Sequence, residues 1–160
     1  MADYTAHIEQ SIKNLQFLQN INNTFPDSYD WQITVCFYVA VHLVNAHLAK
    51  SHNLHCRSHE DVKLAISPTN PTSLCRIDER PYTAYEKLSN NSRRARYLIS
   101  EDHKDDSAHY VSEKYIAKSI RELDKVIIFF AGQYGIKTIP KIKVKCDRLK
   151  EDQLMHFEVV

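Results

Sequence analysis

The sequence predicts an all-α fold, a four- to five-helix up-and-down bundle followed by a short C-terminal tail able to form strands. Three observations carry this reading. The 160 residues include only two glycines, too few for the tight turns of a sandwich or barrel, or for a glycine-rich loop that cradles phosphate. The segment ITVCFYVAVHLVNAHLAK is apolar on almost every helical face, which suits a helix surrounded by others. Finally, Ile116, Ile120, Leu123, Ile127, Phe130 and Tyr134 recur at helical spacing, the signature of one long buried stripe.

The elements follow in order. Ile8, Ile12, Leu15 and Leu18 place a first helix over about Tyr4 to Asn22, which Asn22-Asn23-Thr24 and Pro26 then break. Asp27 or Ser28 caps a second helix that runs to about Ser51, with His42, Asn45 and His47 as polar exceptions in its apolar middle. Ser58 and Asp61 resemble a capping box and open a short third helix through Ile66. Pro68 and Pro71 force an irregular connection, and Asp78-Glu79-Arg80-Pro81 opens a fourth helix, because proline is tolerated in a first turn. Tyr85, Leu88, Ser92, Ala95 and Ile99 form its inward stripe, narrow at the small residues so that another backbone can approach. The polar stretch SEDHKDDSAH reads as a loop or frayed helix end, and Gly135 stops the fifth helix. Residues 1–137 thus form the bundle and residues 138–160 a tail, whose IKVKC and FEVV pieces are short strands or a partner-binding extension.

Composition bounds the function. An apolar fraction of 43% and a charged fraction of 26% exclude wholesale disorder. The net charge of +1 gives no global mark of a nucleic-acid binder, so any such role needs a local patch. Cys36, Cys56, Cys75 and Cys146 lie far apart without a Cys-x-x-Cys pair, and MADYTAHIEQ lacks signal-peptide character. The longest wholly apolar run, Val35 to Val41, falls far short of the roughly 20 residues of a membrane span. The expected setting is a reducing cytoplasm, with free thiols and no membrane.

Two polar constellations stand out. His52, His55, Cys56 and His59 have spacings that could seat zinc, but no second cluster supplies the other half of a four-ligand site, so no metal or other cofactor is expected. Arg57 and His59 instead sit at the start of the third helix, where free amides favour an anion such as phosphate. Arg93, Arg94 and Arg96 share the fourth helix with Tyr82, Tyr85 and Tyr97. That mixture suits single-stranded RNA, with charge on the backbone and rings on the bases, and equally suits a solvated arginine face above core tyrosines. His42 and His47 are five apart, not on one helical face, and read as buried, hydrogen-bonded core histidines.

The order of these pieces resembles the HEPN family, small helical bundles common in prokaryotic defence and toxin systems. The resemblance rests on FYVAVHLVNAHLAK, on SHEDVKLAI with its Ser-His start, on YEKLSNNSRRARY and on the long last helix. It covers roughly Tyr4 to Tyr134. It implies a homodimer that binds RNA or a nucleotide, in many members a metal-independent ribonuclease of a defence, toxin-antitoxin or stress system. The family signature is an arginine followed, after four to six residues, by a histidine before the last helix. Here Arg96 and His103 match that spacing. Arginine would steady the scissile phosphate while histidine, titrating near neutrality, moves the proton. Tyr97 after the arginine departs from the small polar residue usual there, as in branches without catalysis. RNA- or nucleotide-binding candidates are Arg57, His59, Arg93, Arg94 and Tyr97. The alternative is a non-catalytic helical module that engages a partner protein through the tail.

Overall fold

The computed structural model describes residues 3–97 and 112–160. Helix α1 (Tyr4–Thr24) starts at Asp3, whose carboxylate accepts from the Ala6 amide at 2.8 Å. Helix α2 (Tyr29–His52) follows Ser28 and ends at Asn53, whose φ of 50° is left-handed. Asparagine is among the few side chains that tolerate this conformation. Ser58 caps α3 (His59–Ile66) by accepting from the Asp61 amide at 3.1 Å, one half of the expected capping box. Helix α4 (Glu79–Tyr97) carries Pro81 in its first turn, and α5 (Glu113–Tyr134) stops at Gly135 with φ 62°. The predicted all-α bundle with a short strand-forming tail is therefore observed. Ile99 and the SEDHKDDSAH stretch, including His103, lie outside the described residues.

α2 is the hub of the packing, in contact with α1, α4 and α5, while α4 packs on α5. α1 and α2 run antiparallel, because His7 meets His42 at one end and Asn22 meets Gln32 at the other. The apolar stripes land as expected. Leu15, Leu18, Leu88, Ile116, Ile120, Leu123 and Ile127 are buried, as are Ser92 and Ala95, where α4 presents only small side chains. Truncating any of these leucines to alanine costs about 2–5 kcal/mol, since a packed core closes only partly around a cavity. By length and composition alone α2 is long and apolar enough to cross a membrane, although 78% of its most apolar window is buried inside the protein. That burial is the condition of a core helix.

The C-terminal segment folds back onto this bundle. Strands β1 (Ile142–Val144) and β2 (Phe157–Val159) pair in parallel, with Ile142 opposite Phe157. Ile139, Ile142, Val144, Cys146, Leu149 and Phe157 join the same core as the helices. Polar side chains of α1 supply the hydrogen bonds that a third strand would. Gln19 Oε1 accepts from the Lys143 amide at 2.6 Å, and Asn22 both accepts from the Lys145 amide at 2.7 Å and donates to its carbonyl at 3.1 Å. On α5 the buried Asp124 accepts from the Met155 and His156 amides and from the His156 ring, at 2.9–3.0 Å. Burial by itself would raise the Asp124 carboxyl, but these hydrogen bonds and the His156 charge outweigh it and hold the group below the usual carboxylate range.

Candidate nucleic-acid interface

The cations of α4 divide between two flanks because each helical residue advances about 100°, so positions two apart point to nearly opposite sides. Arg94 turns toward α5. Its guanidinium lies 5.9 Å from the centre of the Tyr115 ring, and Lys118 reaches the same ring at 5.4 Å. Arg94, Lys118, Lys87, Asn90, Asn91 and Glu122 line a cavity of about 340 Å³ between α4 and α5. It continues through Lys87 and Glu122 into a second cavity of about 410 Å³ bordered by Arg80 and Lys125. A third, of about 220 Å³, follows past Arg80 and Lys125 to Phe129. The result is one groove along the α4–α5 seam.

Arg80, Lys87 and Arg94 lie seven residues apart on α4, which places successive cations about 10 Å apart along one side of the groove. Lys118 and Lys125 contribute from α5. The opposing carboxylates are Asp78, Glu79 and Glu122. Glu122 pairs with Lys125 at 2.9 Å and with Lys87 at 3.6 Å, so the middle of the groove is locally compensated. Among the described residues, the end nearest Tyr115 is lined by Lys87, Arg94 and Lys118 together with Glu122. Asn91 bridges the walls by donating to Ser119 Oγ at 3.2 Å, while Asn90 is exposed.

The other flank holds Arg96, whose Nε donates to the Ser92 carbonyl at 3.3 Å, and the exposed Tyr97, whose ring lies 5.6 Å below the Arg96 guanidinium. Facing it is His59 at the start of α3. Its ring leans on Phe37 of α2 at 5.2 Å between centroids. Partial burial, and then the Arg96 charge, lower the His59 pKa below its ordinary value. Arg57 is exposed beside it and Arg93 is exposed on α4. Two of the expected RNA-binding residues, His59 and Arg94, therefore lie on different surfaces. Arg96 has His59 as a histidine neighbour in space, whereas His103 is not among the described residues. Beneath this flank the Tyr85 hydroxyl and Ser92 Oγ are buried without a hydrogen-bond partner among the described residues.

The remaining histidines separate into individual roles. His47 is buried, as expected. Its Nε2 donates to the Cys75 carbonyl at 2.9 Å, which leaves Nδ1 to accept from the Tyr134 hydroxyl at 2.6 Å. Burial is the main reason its pKa is lowered. His42 is only half-buried, because its partner is His7 at the α1–α2 seam rather than the core. The His52-to-His59 stretch disperses: His52 reaches Cys75 Sγ at 3.4 Å, His55 turns to Asn53 Oδ1 at 3.3 Å, and His59 packs on Phe37. Among the described residues no group of three or more metal-binding side chains converges. All four cysteines are free. Burial raises each thiol pKa, that of Cys146 to about 11, so none is a thiolate nucleophile near neutrality.

The geometry thus gives a helical-bundle protein with a basic groove on one flank of α4 and Arg96 on the other, near enough to His59 for its charge to act on that ring. No protein-family model, curated protein or solved structure matches the chain. The groove residues Arg80, Lys87, Lys118 and Lys125 escape a reading that follows arginine clusters. The seven-residue step from Arg80 to Lys87 to Arg94 is the signal that finds one wall of it.

Proposed function

We propose that this protein binds single-stranded RNA in the α4–α5 groove, as a HEPN-like bundle of a prokaryotic defence, toxin-antitoxin or stress system. The observation that carries the reading is the lining of this end of the groove by Lys87, Arg94 and Lys118 with Asn90 and Asn91, Arg94 and Lys118 also reaching the neighbouring Tyr115 ring. Phosphates are held by such cations through release of condensed counterions. Unstacked bases find a ring to stack on and amide groups for their edges. In fluorescence-anisotropy titrations with a labelled single-stranded RNA, Lys87→Glu combined with Lys118→Glu should weaken binding on the order of 30-fold at low salt. The salt dependence should become shallower by about 1.4 in log–log slope, from two lost phosphate contacts. Unchanged affinity in a folded double variant would sink the proposal.

Arg96, whose charge reaches the His59 ring, supports a second reading, cleavage of the bound strand without a metal. Arginine would offset charge on the phosphate oxygens, and His59, or His103 from the polar stretch, would carry the proton from the attacking 2′-hydroxyl. Purified protein should then cleave single-stranded RNA in the presence of a chelator. Arg96→Ala and the responsible histidine variant should each lose at least a hundredfold in rate. If the wild-type protein cleaves nothing, the chain is a non-catalytic binding module. A homodimer remains part of the proposal, and sedimentation at micromolar concentration tests it.

A further inference from the structure

Away from both flanks of α4, two histidines from different helices meet at the α1–α2 seam. His7 of α1 and His42 of α2 point their Nδ1 atoms at each other across 3.1 Å, with ring centroids 5.4 Å apart. Both side chains are half-buried, so the pair is held by its surroundings yet reachable by protons from solvent. The contact is a head-on hydrogen bond between two neutral rings of opposite tautomer, one donating its Nδ1 hydrogen to the lone pair of the other. A first added proton goes to the donor ring's Nε2 and keeps the bond. A second has only the accepting lone pair to take, and two N–H groups on two cations then face each other along one line. The seam is also unevenly fastened. Beside the pair, α1 contributes the half-buried Tyr4, edge-on to Tyr134 at 5.7 Å, and Ile8. Further along, Ser11 Oγ reaches the Val39 carbonyl at 3.5 Å, Leu15 and Leu18 are fully buried, and Asn22 donates to Gln32 at 3.0 Å. The first two turns of α1 therefore depend on the histidine contact more than the rest of the helix does.

We propose that His7 and His42 form an acid-sensitive latch, which frees residues 4–11 of α1 from α2 once both rings are protonated and leaves the rest of the bundle folded. Protonated histidines at an interface act as switches in this way because their charge changes within a narrow and accessible pH range. Two other titratable groups act on the pair. His55, in the loop after α2, adds positive charge, and Asp3 at the start of α1 opposes it. Lys50 of α2 lies instead over the Tyr4 ring at 5.2 Å. Partial burial is the first cause that lowers the pKa of both rings; the His55 charge then lowers His7, against an upward pull from Asp3, and the His7 charge lowers His42. The closed contact therefore contributes fully above the open-state value of about 6.5 and is lost as pH falls below it. At pH 5.5 the open seam takes two protons where the closed one holds at most one, which favours opening by at least about tenfold.

The test is amide hydrogen exchange of the full chain at pH 7.5 and 5.5, corrected for the intrinsic pH dependence of exchange. The amides of residues 7–11 report release, because two helical turns without packing do not persist on their own. Their protection should fall at least about tenfold between the two pH values. That exchange should also be insensitive to low urea, the mark of a local opening that exposes little surface rather than of global unfolding. His7→Gln and His42→Gln each replace a titrating ring with a side chain that still donates and accepts, so in either variant the fall should shrink to less than about threefold. Circular dichroism at pH 7.5 identifies which variant is folded, and one folded variant suffices. His55→Gln should keep the acid response. Protection that does not fall at pH 5.5, a fall that follows global unfolding in urea, a fall that persists in a folded His7 or His42 variant, or one abolished by His55→Gln would each overturn the proposal.

Discussion

Arg94 and Arg96 stand two positions apart on one helix and belong to different chemistries. Arg94 shares the Tyr115 ring with Lys118 and lines a groove among cations that repeat along the helix axis. Arg96 stands on the opposite flank, tied to its own backbone at Ser92 and set against His59. The first environment is extended and suits a polymer of regularly spaced charge. The second is a point, suited to one phosphate and one proton. Proximity in sequence therefore says little about shared function on a helix, whereas the phase of the residue says a great deal.

The largest effect that can break this contrast is on RNA affinity. Arg94→Ala should weaken single-stranded RNA binding about tenfold, the scale of a charge-assisted hydrogen bond, whereas Arg96→Ala should change it less than threefold. Equal losses in direct titrations would mean that one continuous surface serves both residues.

A smaller effect is expected from pH. None of the described groove-lining residues is a histidine, so binding through these residues should vary little between pH 6 and 8. The His59 flank should gain positive charge only as pH falls below about 6.5, because its pKa is lowered. Stability must be followed alongside. His42, His47 and His59 all have folded pKa values below the unfolded value. The unfolded chain therefore takes up protons first, and the stability these neutral rings contribute is present above pH 6.5 and lost as pH falls below it. Urea midpoints that do not decline between pH 7.5 and 5.5 would contradict this assignment. The smallest effect concerns the buried hydroxyl beneath the Arg96 flank. Tyr85→Phe removes a group with no hydrogen-bond partner among the described residues, so it should leave RNA binding unchanged and raise stability by up to about 1 kcal/mol. A marked loss in chemical denaturation would show that the hydroxyl has a partner.

Much of the fold was legible because helical stripes are local. Leu15 and Leu18, Ile116 through Phe130, the Ser58 cap and the Gly135 stop all express themselves within a few residues. The IKVKC and FEVV pieces were readable as strands, but not their parallel pairing or the side-chain amides of Gln19 and Asn22 that hold them. The site was less legible. Arg94 and Lys87 could be placed on one face by counting, yet Lys118 and Lys125 join them only because α5 lies antiparallel to α4. The neighbourhood of His59 and Arg96, and of His7 and His42, depends on helix packing between distant segments, which no spacing rule reports. The sequence reading placed arginines and tyrosines together on α4, but the packing buries Tyr85, leaves Tyr97 exposed and turns Arg94 away from Arg96.

Asn22 has one further consequence, and it concerns synthesis. Its side chain donates both to Gln32, ten positions away, and to the Lys145 carbonyl, 123 positions away. The α1–α2 hairpin can form while the chain is still being made, but the amide that closes it stays half-satisfied until residue 145 has emerged. At about 5–20 residues per second, that wait lasts several seconds or more. Over that interval the end of α1 presents a polar edge that is unfinished by design of the sequence.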